Sequence, residues 1–213
     1  MKCVKIFISK LFLILCILST IVTPIYVNAY TIDVQGGFSP VPTTVRESFY
    51  FSSETKTAVS NACLAWNYYS PIYNIVTKDG INTYLTPSNG IYYEYGNGNQ
   101  ITKYEFGTGK AIAYTYRYFN SGSGSEITSI DSLFSGNELS IEQADICLNV
   151  SFPYGTASTS YNPQAVLTHE IGHLLGFGHS TNSSAIMYYY IPRGVNKGVS
   201  QDDVYALQHI YGG

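Results

Sequence analysis

The chain has 213 residues, a formal net charge of −3, and only 12% charged against 45% hydrophobic residues. No basic stripe runs through it, so nucleic acid is not a natural partner, and no internal repeat is present. Its polarity comes largely from Asn, Ser, Thr, Gly and 21 tyrosines.

Lys2, Lys5 and Lys10 precede an apolar run from Leu11 to Val22, and Val27-Asn28-Ala29 offers a small-residue cleavage site. That is the pattern of a secretory signal over residues 1–29. A retained membrane anchor is the alternative, but the run is short for a span of about 20 residues. Residues 30–213 are then one exported domain, long enough for a real core. Removing the three lysines takes its formal charge from −3 to −6. Cys3 and Cys16 leave with the signal. Cys63 and Cys147 are either a disulfide, which export permits, or two buried thiols acting as small hydrophobes.

Tyr30 to Pro42, with Gly36-Gly37, Pro40 and Pro42, reads as an extended segment. Arg46 to Ser52 alternates loosely, with Phe49 and Phe51 on one side, and is the expected first strand. Ser53 to Tyr69 is a helix: Ala58, Ala62, Ala65, Trp66 and Tyr69 recur at three and four residues, and Ser70-Pro71 stops it. From Ile72 to Gly136 the pattern is strand and turn. Asp79-Gly80, Asn89-Gly90 and Gly96 to Asn99 are turn signals. Ile91, Tyr93 and Tyr95 alternate, as does Ile112 to Tyr116, and Ser121 to Ser125 is a flexible loop.

Asn162-Pro163 opens a second helix, with asparagine as cap and proline in the first turn. Leu167, Ile171, Leu174 and Leu175 form its apolar stripe. On it lies the stretch His169-Glu170-Ile171-Gly172-His173, followed by Gly176 and His179. Three of the four histidines fall in these eleven residues. His169 and His173, four apart, share one helix face. Gly176 stands where a helix can stop in a left-handed conformation, and His179 can then return to the same point. Three nitrogens with a fourth position left open are the catalytic rather than the structural pattern for zinc. Glu170 can take a proton from water at that position. The bland alternative is a helix carrying solvated histidines.

The pattern H-E-x-x-H-x-x-G-x-x-H with Met187 downstream resembles the metzincin zinc peptidases, and within them the matrixins, especially small bacterial members. The resemblance implies an α/β (α+β), zincin-like fold. It has a twisted mixed five-stranded sheet, two main helices, a catalytic zinc cleft and a C-terminal helical subdomain. It implies one catalytic zinc on His169, His173 and His179, with Glu170 as general base and acid. Met187 would lie in a tight turn forming an apolar floor under the metal. Where matrixins usually have proline, this chain has Tyr189. Astacins and serralysins have tyrosine at that offset, where it binds zinc and then swings to the oxyanion, so Tyr189 is a candidate transition-state residue.

Gly109 to Tyr118 resembles the matrixin edge strand above the zinc, where an extended peptide adds by main-chain bonds; an ordinary half-buried strand is the alternative. Ala144 to Asn149 resembles the strand before the zinc helix. Tyr114 and Cys147 stand where animal matrixins hold a second zinc, and Asn149 where they have an acid, so a second zinc is not expected. Calcium is compatible with scattered oxygen donors, but no acid cluster requires it. Tyr30 to Pro42 contains no cysteine that could cap the zinc as the propeptide cysteine of many animal matrixins does, so latency by that route is not implied. Ile191 to Val199, with Arg193, is the expected pocket-lining loop. Ser200-Gln201-Asp202-Asp203 opens the last helix, with Val204, Leu207 and Tyr211 as its stripe, and it resembles the C-terminal matrixin helix. His209 is read as structural or exposed. The expected whole is a secreted, monomeric zinc endopeptidase acting on extended peptides, without a membrane partner once the signal is gone. Two alternatives stay open: a secreted zinc-binding module without turnover, and an amidase on cell-wall peptide.

Overall fold

The computed structural model describes residues 29–82, 98–119 and 140–212. The expected signal, the Asn89-Gly90 turn, the Ile91-Tyr93-Tyr95 alternation and the Ser121 to Ser125 loop lie outside them, apart from Ala29. In chain order the elements are β1 (Thr43–Ser48), α1 (Ser53–Tyr69), β2 (Val76–Asn82), β3 (Asn99–Tyr104), β4 (Ala113–Phe119), β5 (Ile141–Asn149), α2 (Pro163–Leu174) and α3 (Gln201–Tyr211). The strands form one mixed sheet in the order β2-β1-β3-β5-β4. All neighbours are parallel except β4, which runs antiparallel to β5. Last in that order, β4 is an edge of the sheet among the described residues, as the resemblance of Gly109 to Tyr118 to the matrixin edge strand implied.

The first strand lies earlier in the chain than its alternation implied. β1 is an inner strand, paired on both sides, and the chain leaves the sheet at Ser48. There the Phe51 N–H donates to the Ser48 carbonyl and the Tyr50 N–H to its hydroxyl. Phe49 is 57% exposed, so the Phe49/Phe51 alternation belongs to a turn. Asp79-Gly80 does not reverse the chain either. The β1–β2 register shifts between Val45 and Glu47, placing Asp79 and Gly80 opposite Arg46 alone. That is a β-bulge, with Gly80 at φ +74°.

α1 follows its periodicity. Ser52 caps it through its hydroxyl to the Thr55 N–H, and Ala58, Val59, Ala62, Cys63 and Trp66 are buried. Trp66 joins α1 to α2: it is fully buried and its indole N–H donates to the Thr168 carbonyl at 2.8 Å. Its ring also meets Phe177, with centroids 5.1 Å apart. Successive residues of a strand face opposite sides of the sheet. In β5, Ala144, Ile146 and Leu148 belong to the core that includes α1 and α2. Asp145, Cys147 and Asn149 face the other way.

That alternation settles the cysteine alternative. Cys63 lies in the helix-side core, and Cys147 lies on the opposite face of the sheet. Both are free and buried, and burial pushes each thiol up to about 12. Alkylation of the folded protein should therefore leave Cys63 and Cys147 unmodified, while unfolding without reductant should expose both to the reagent. Mass spectrometry of the two peptides checks this; a bridged pair would stay blocked until reductant is added.

Candidate metal centre

α2 begins where the sequence places it: the Asn162 side chain accepts the Ala165 N–H at 3.1 Å, with Pro163 in the first turn. Nearly the whole helix is buried, including His169 and Glu170. It ends in a Schellman closure: the Gly176 N–H donates to the His173 carbonyl, and the Phe177 N–H to that of Gly172. Gly176 has φ +100°, and a Cβ there would lie 3.0 Å from Gly37 Cα. Only glycine meets both demands.

The return of His179 is held by the N-terminal segment. The Gly178 N–H donates to the Thr31 carbonyl, and the Thr31 hydroxyl donates to the His179 carbonyl at 2.8 Å. A side chain on Gly178 would collide with Asp33 and Thr31. Candidate ligand atoms of His169, His173 and His179 all lie within 4.8 Å of one another. Among the described residues this is the group of histidines, cysteines or acids so arranged.

The donor set fits zinc. Three imidazole nitrogens gathered within 4.8 Å, with no fourth protein ligand in the group, are the nitrogen donor set of a catalytic zinc site. His169 Nδ1 lies 2.7 Å from the Ile186 carbonyl oxygen, and His173 Nδ1 lies 2.8 Å from that of Phe177. A carbonyl only accepts, so each Nδ1 carries the hydrogen and each Nε2 presents its lone pair. Burial lowers all three histidines: His169 to about 4, His173 well below its ordinary value, and His179 with help from Arg117 against Asp33. Neutral imidazoles are the form that binds metal.

Beneath the helix, Met187 is buried in a turn. The Asp203 carboxylate accepts the Ile186 and Met187 N–H groups at 2.9 and 3.1 Å. It also accepts the Ser200 N–H and hydroxyl, each at 2.7 Å. Asp202 accepts the Ser180 hydroxyl at 2.7 Å and the Ala29 N–H at 3.1 Å. A Cβ on Gly172 would overlap Met187 Sδ and sit 2.9 Å from Trp66 Cζ2.

The histidines and Glu170 line a cleft of about 400 Å³ with Ala111 to Thr115, Arg117, Asp33, Tyr189 and Ile191. Glu170 is buried against β4, where the Thr115 hydroxyl lies 2.5 Å from its Oε2. Burial raises its carboxyl to about 7, against the lowering effects of that hydrogen bond and of Arg117. Arg117 pairs with Asp33 at 3.0 Å. Tyr189 lines the cleft but is 68% exposed, a rim position. Ile191 lines it too, whereas Arg193 stacks over Tyr161 at 5.1 Å and is not part of the lining. Exposed His209 meets the Tyr30 hydroxyl at 3.0 Å, away from the triad. Tyr114 faces the far side of the sheet opposite Cys147, its ring 5.0 Å from Phe106. There the Asn149 amide ties together Phe106, Gly107, Ala111 and Ser151. Thr115, Arg117, Asp33 and Asp203 carry no motif that marks them as site residues; only the folded arrangement brings them to the cleft or its floor.

A mixed sheet flanked by a helix bearing H-E-x-x-H, with a third histidine returned by a glycine and a methionine turn below, defines a metzincin-type fold. The chain belongs to the matrixin family, whose profile (Matrixin) matches residues 46–212. It is 46% identical over 63 residues to human matrix metalloproteinase-26, covering 28% of this chain and 23% of that protein. Over 57 residues it is 46% identical to the Arabidopsis thaliana metalloendoproteinase 5-MMP, covering 26% and 16%. A pig interstitial collagenase is 49% identical over 53 residues, covering 24% and 11%. The matched stretches thus span less than a quarter of these relatives' own lengths.

Two outcomes are expected. Gly172→Ala should destabilise the protein by about 1–3 kcal/mol through overpacking against Met187 and Trp66, read as a lower urea midpoint. The metal-free protein should lose stability as pH falls from 6.5 towards 4. In that window the unfolded histidines take up protons that the folded ones refuse. Glu170, raised from 4.5 to about 7, works in the opposite direction and offsets about one histidine of the three. Urea midpoints of chelator-treated protein across that range check the sign.

Proposed function

We propose that the chain is a secreted zinc-dependent endopeptidase that cuts extended protein or peptide segments. The observation that carries this reading is the convergence of three neutral imidazoles and a buried carboxylate on one cleft beside a sheet edge. His169, His173 and His179 would hold one zinc. That ion would supply Lewis acidity, making water a nucleophile near neutral pH and polarising the scissile carbonyl.

The remaining work falls to the chain's own groups. β4 offers its outer backbone N–H and C=O groups, so a substrate strand can add to the sheet and lie across the cleft. Glu170 takes the proton of the attacking water and delivers it to the leaving amine. Its raised pKa suits a group that must both accept and release a proton near neutrality. The Met187 turn braces the ligand helix from below, and Ile191 and the cleft wall receive a substrate side chain. Tyr189, at the rim, is the candidate donor to the developing oxyanion. The N-terminal lysines and the apolar run after them support export, and the exported domain is read as a monomer without a membrane partner.

Metal analysis of the purified protein, with mass spectrometry of unfolded proteins exposed to it with and without chelator, tests the reading. Glu170→Ala should keep zinc and fold while kcat/KM falls by about 10²- to 10⁴-fold. Full activity in that variant would rule the mechanism out. Zinc without turnover would mark a binding module, and cleavage confined to peptidoglycan peptides would mark a cell-wall amidase.

A further inference from the structure

We propose that Thr115 is a positioning residue for Glu170: its hydroxyl holds one carboxylate oxygen and leaves the other to carry the proton. The inference rests on the peptidase reading above and adds a residue to it. Thr115 Oγ1 lies 2.5 Å from Glu170 Oε2 and 3.2 Å from the Glu170 backbone oxygen. A hydroxyl has one hydrogen to give, and the shorter contact to a carboxylate is the stronger one. Among the described residues no other donor bonds to the Glu170 carboxylate, so Oε1 keeps its lone pairs.

The hydroxyl is itself held in place. Thr115 pairs with Ile146 in the β4–β5 ladder, and as a β-branched residue it has a stiff χ1. Alternation puts it on the same face as Ala113 and Arg117, which line the cleft with it. A glutamate side chain has three torsions, and without an anchor it would sample positions from which no proton transfer occurs. The bond from Thr115 removes that freedom and makes Oε2 the less basic oxygen.

The proton balance is then simple. The water oxygen bonds to the scissile carbonyl carbon, and its proton moves to Glu170 Oε1. As the C–N bond breaks, that proton passes from Oε1 to the amine nitrogen. Thr115 keeps its own hydrogen throughout. β4 thus serves twice: its outer edge aligns the peptide, and an inward side chain aligns the base. Substrate and carboxylate share one ruler.

The test compares the full unaltered chain with Thr115→Val, Thr115→Ala and Thr115→Ser on a fluorogenic peptide that the unaltered chain cuts. Zinc content and thermal midpoint are measured for each. Thr115→Val and Thr115→Ala should lower kcat by about 10- to 100-fold, the worth of one hydrogen bond to a charged group, with KM and zinc content unchanged. Thr115→Ser should restore kcat. A Val variant within about twofold of the unaltered kcat would overturn the proposal, as would a Ser variant as slow as Ala. If Val weakens the strand, the Ser–Ala pair decides by itself. Loss of cleavage in Glu170→Ala beside normal turnover in Thr115→Val would sink this inference alone. Absence of any cleavage by the unaltered chain would remove the peptidase reading and the proposal with it.

Discussion

The site depends on one constraint: a helix of twelve residues must be both a core element and a ligand platform. Its apolar stripe of Leu167, Ile171 and Leu174 is fully buried. The opposite face, which would be solvated on an ordinary amphipathic helix, carries His169 and His173, with Glu170 between that face and the stripe. Burial there has a cost for ionised groups, and the fold meets it in two ways. The imidazoles are driven to their neutral form, those of His169 and His173 with Nδ1 donating to backbone carbonyls. The carboxylate is given a hydroxyl donor and a nearby guanidinium. The same desolvation that makes these groups expensive to bury leaves them ready to hold a cation and move a proton.

The platform is braced from below by a second buried acid. Asp203 accepts two N–H groups from the methionine turn and two donors from Ser200 at the start of α3. Burial still raises its carboxyl above the ordinary value. The last helix therefore reaches the site without touching it. Asp203 fixes the turn, the turn places the Ile186 carbonyl, and that carbonyl sets the tautomer of His169. Met187 fills the space that the missing side chain of Gly172 leaves, so the glycine between the histidines of the motif is a packing requirement as much as a sequence signature.

Backbone hydrogen bonds from residues 29–38 close the other side. Asp33 and Val34 donate to the Gly176 carbonyl, and Thr31 brackets Gly178 and His179. The third ligand is thus carried on a loop held by a segment 148 positions away in the chain. Sites on helices and strands are ordinarily held more precisely than sites on loops, and these hydrogen bonds supply restraint that a free loop lacks.

Much of this was legible from local spacing. Two histidines four apart must share a helix face, a glycine three residues on can end that helix, and capping residues mark where α2 and α3 begin. Those are short-range rules, decided within one or two turns of chain. The edge position of β4 was legible only by family resemblance, and the start of β1 and the Asp79-Gly80 bulge were not, because strand pairing joins residues far apart. The tertiary structure alone decided that Cys63 and Cys147 face opposite sides of the sheet. It also decided that Asp203 holds the methionine turn and that Thr115 meets Glu170. The amino-acid order by itself determined which groups could bind metal and where the helices carrying them begin and end. Their protonation, their tautomers and their partners came from burial and cross-strand register, which exist only once distant segments have packed together.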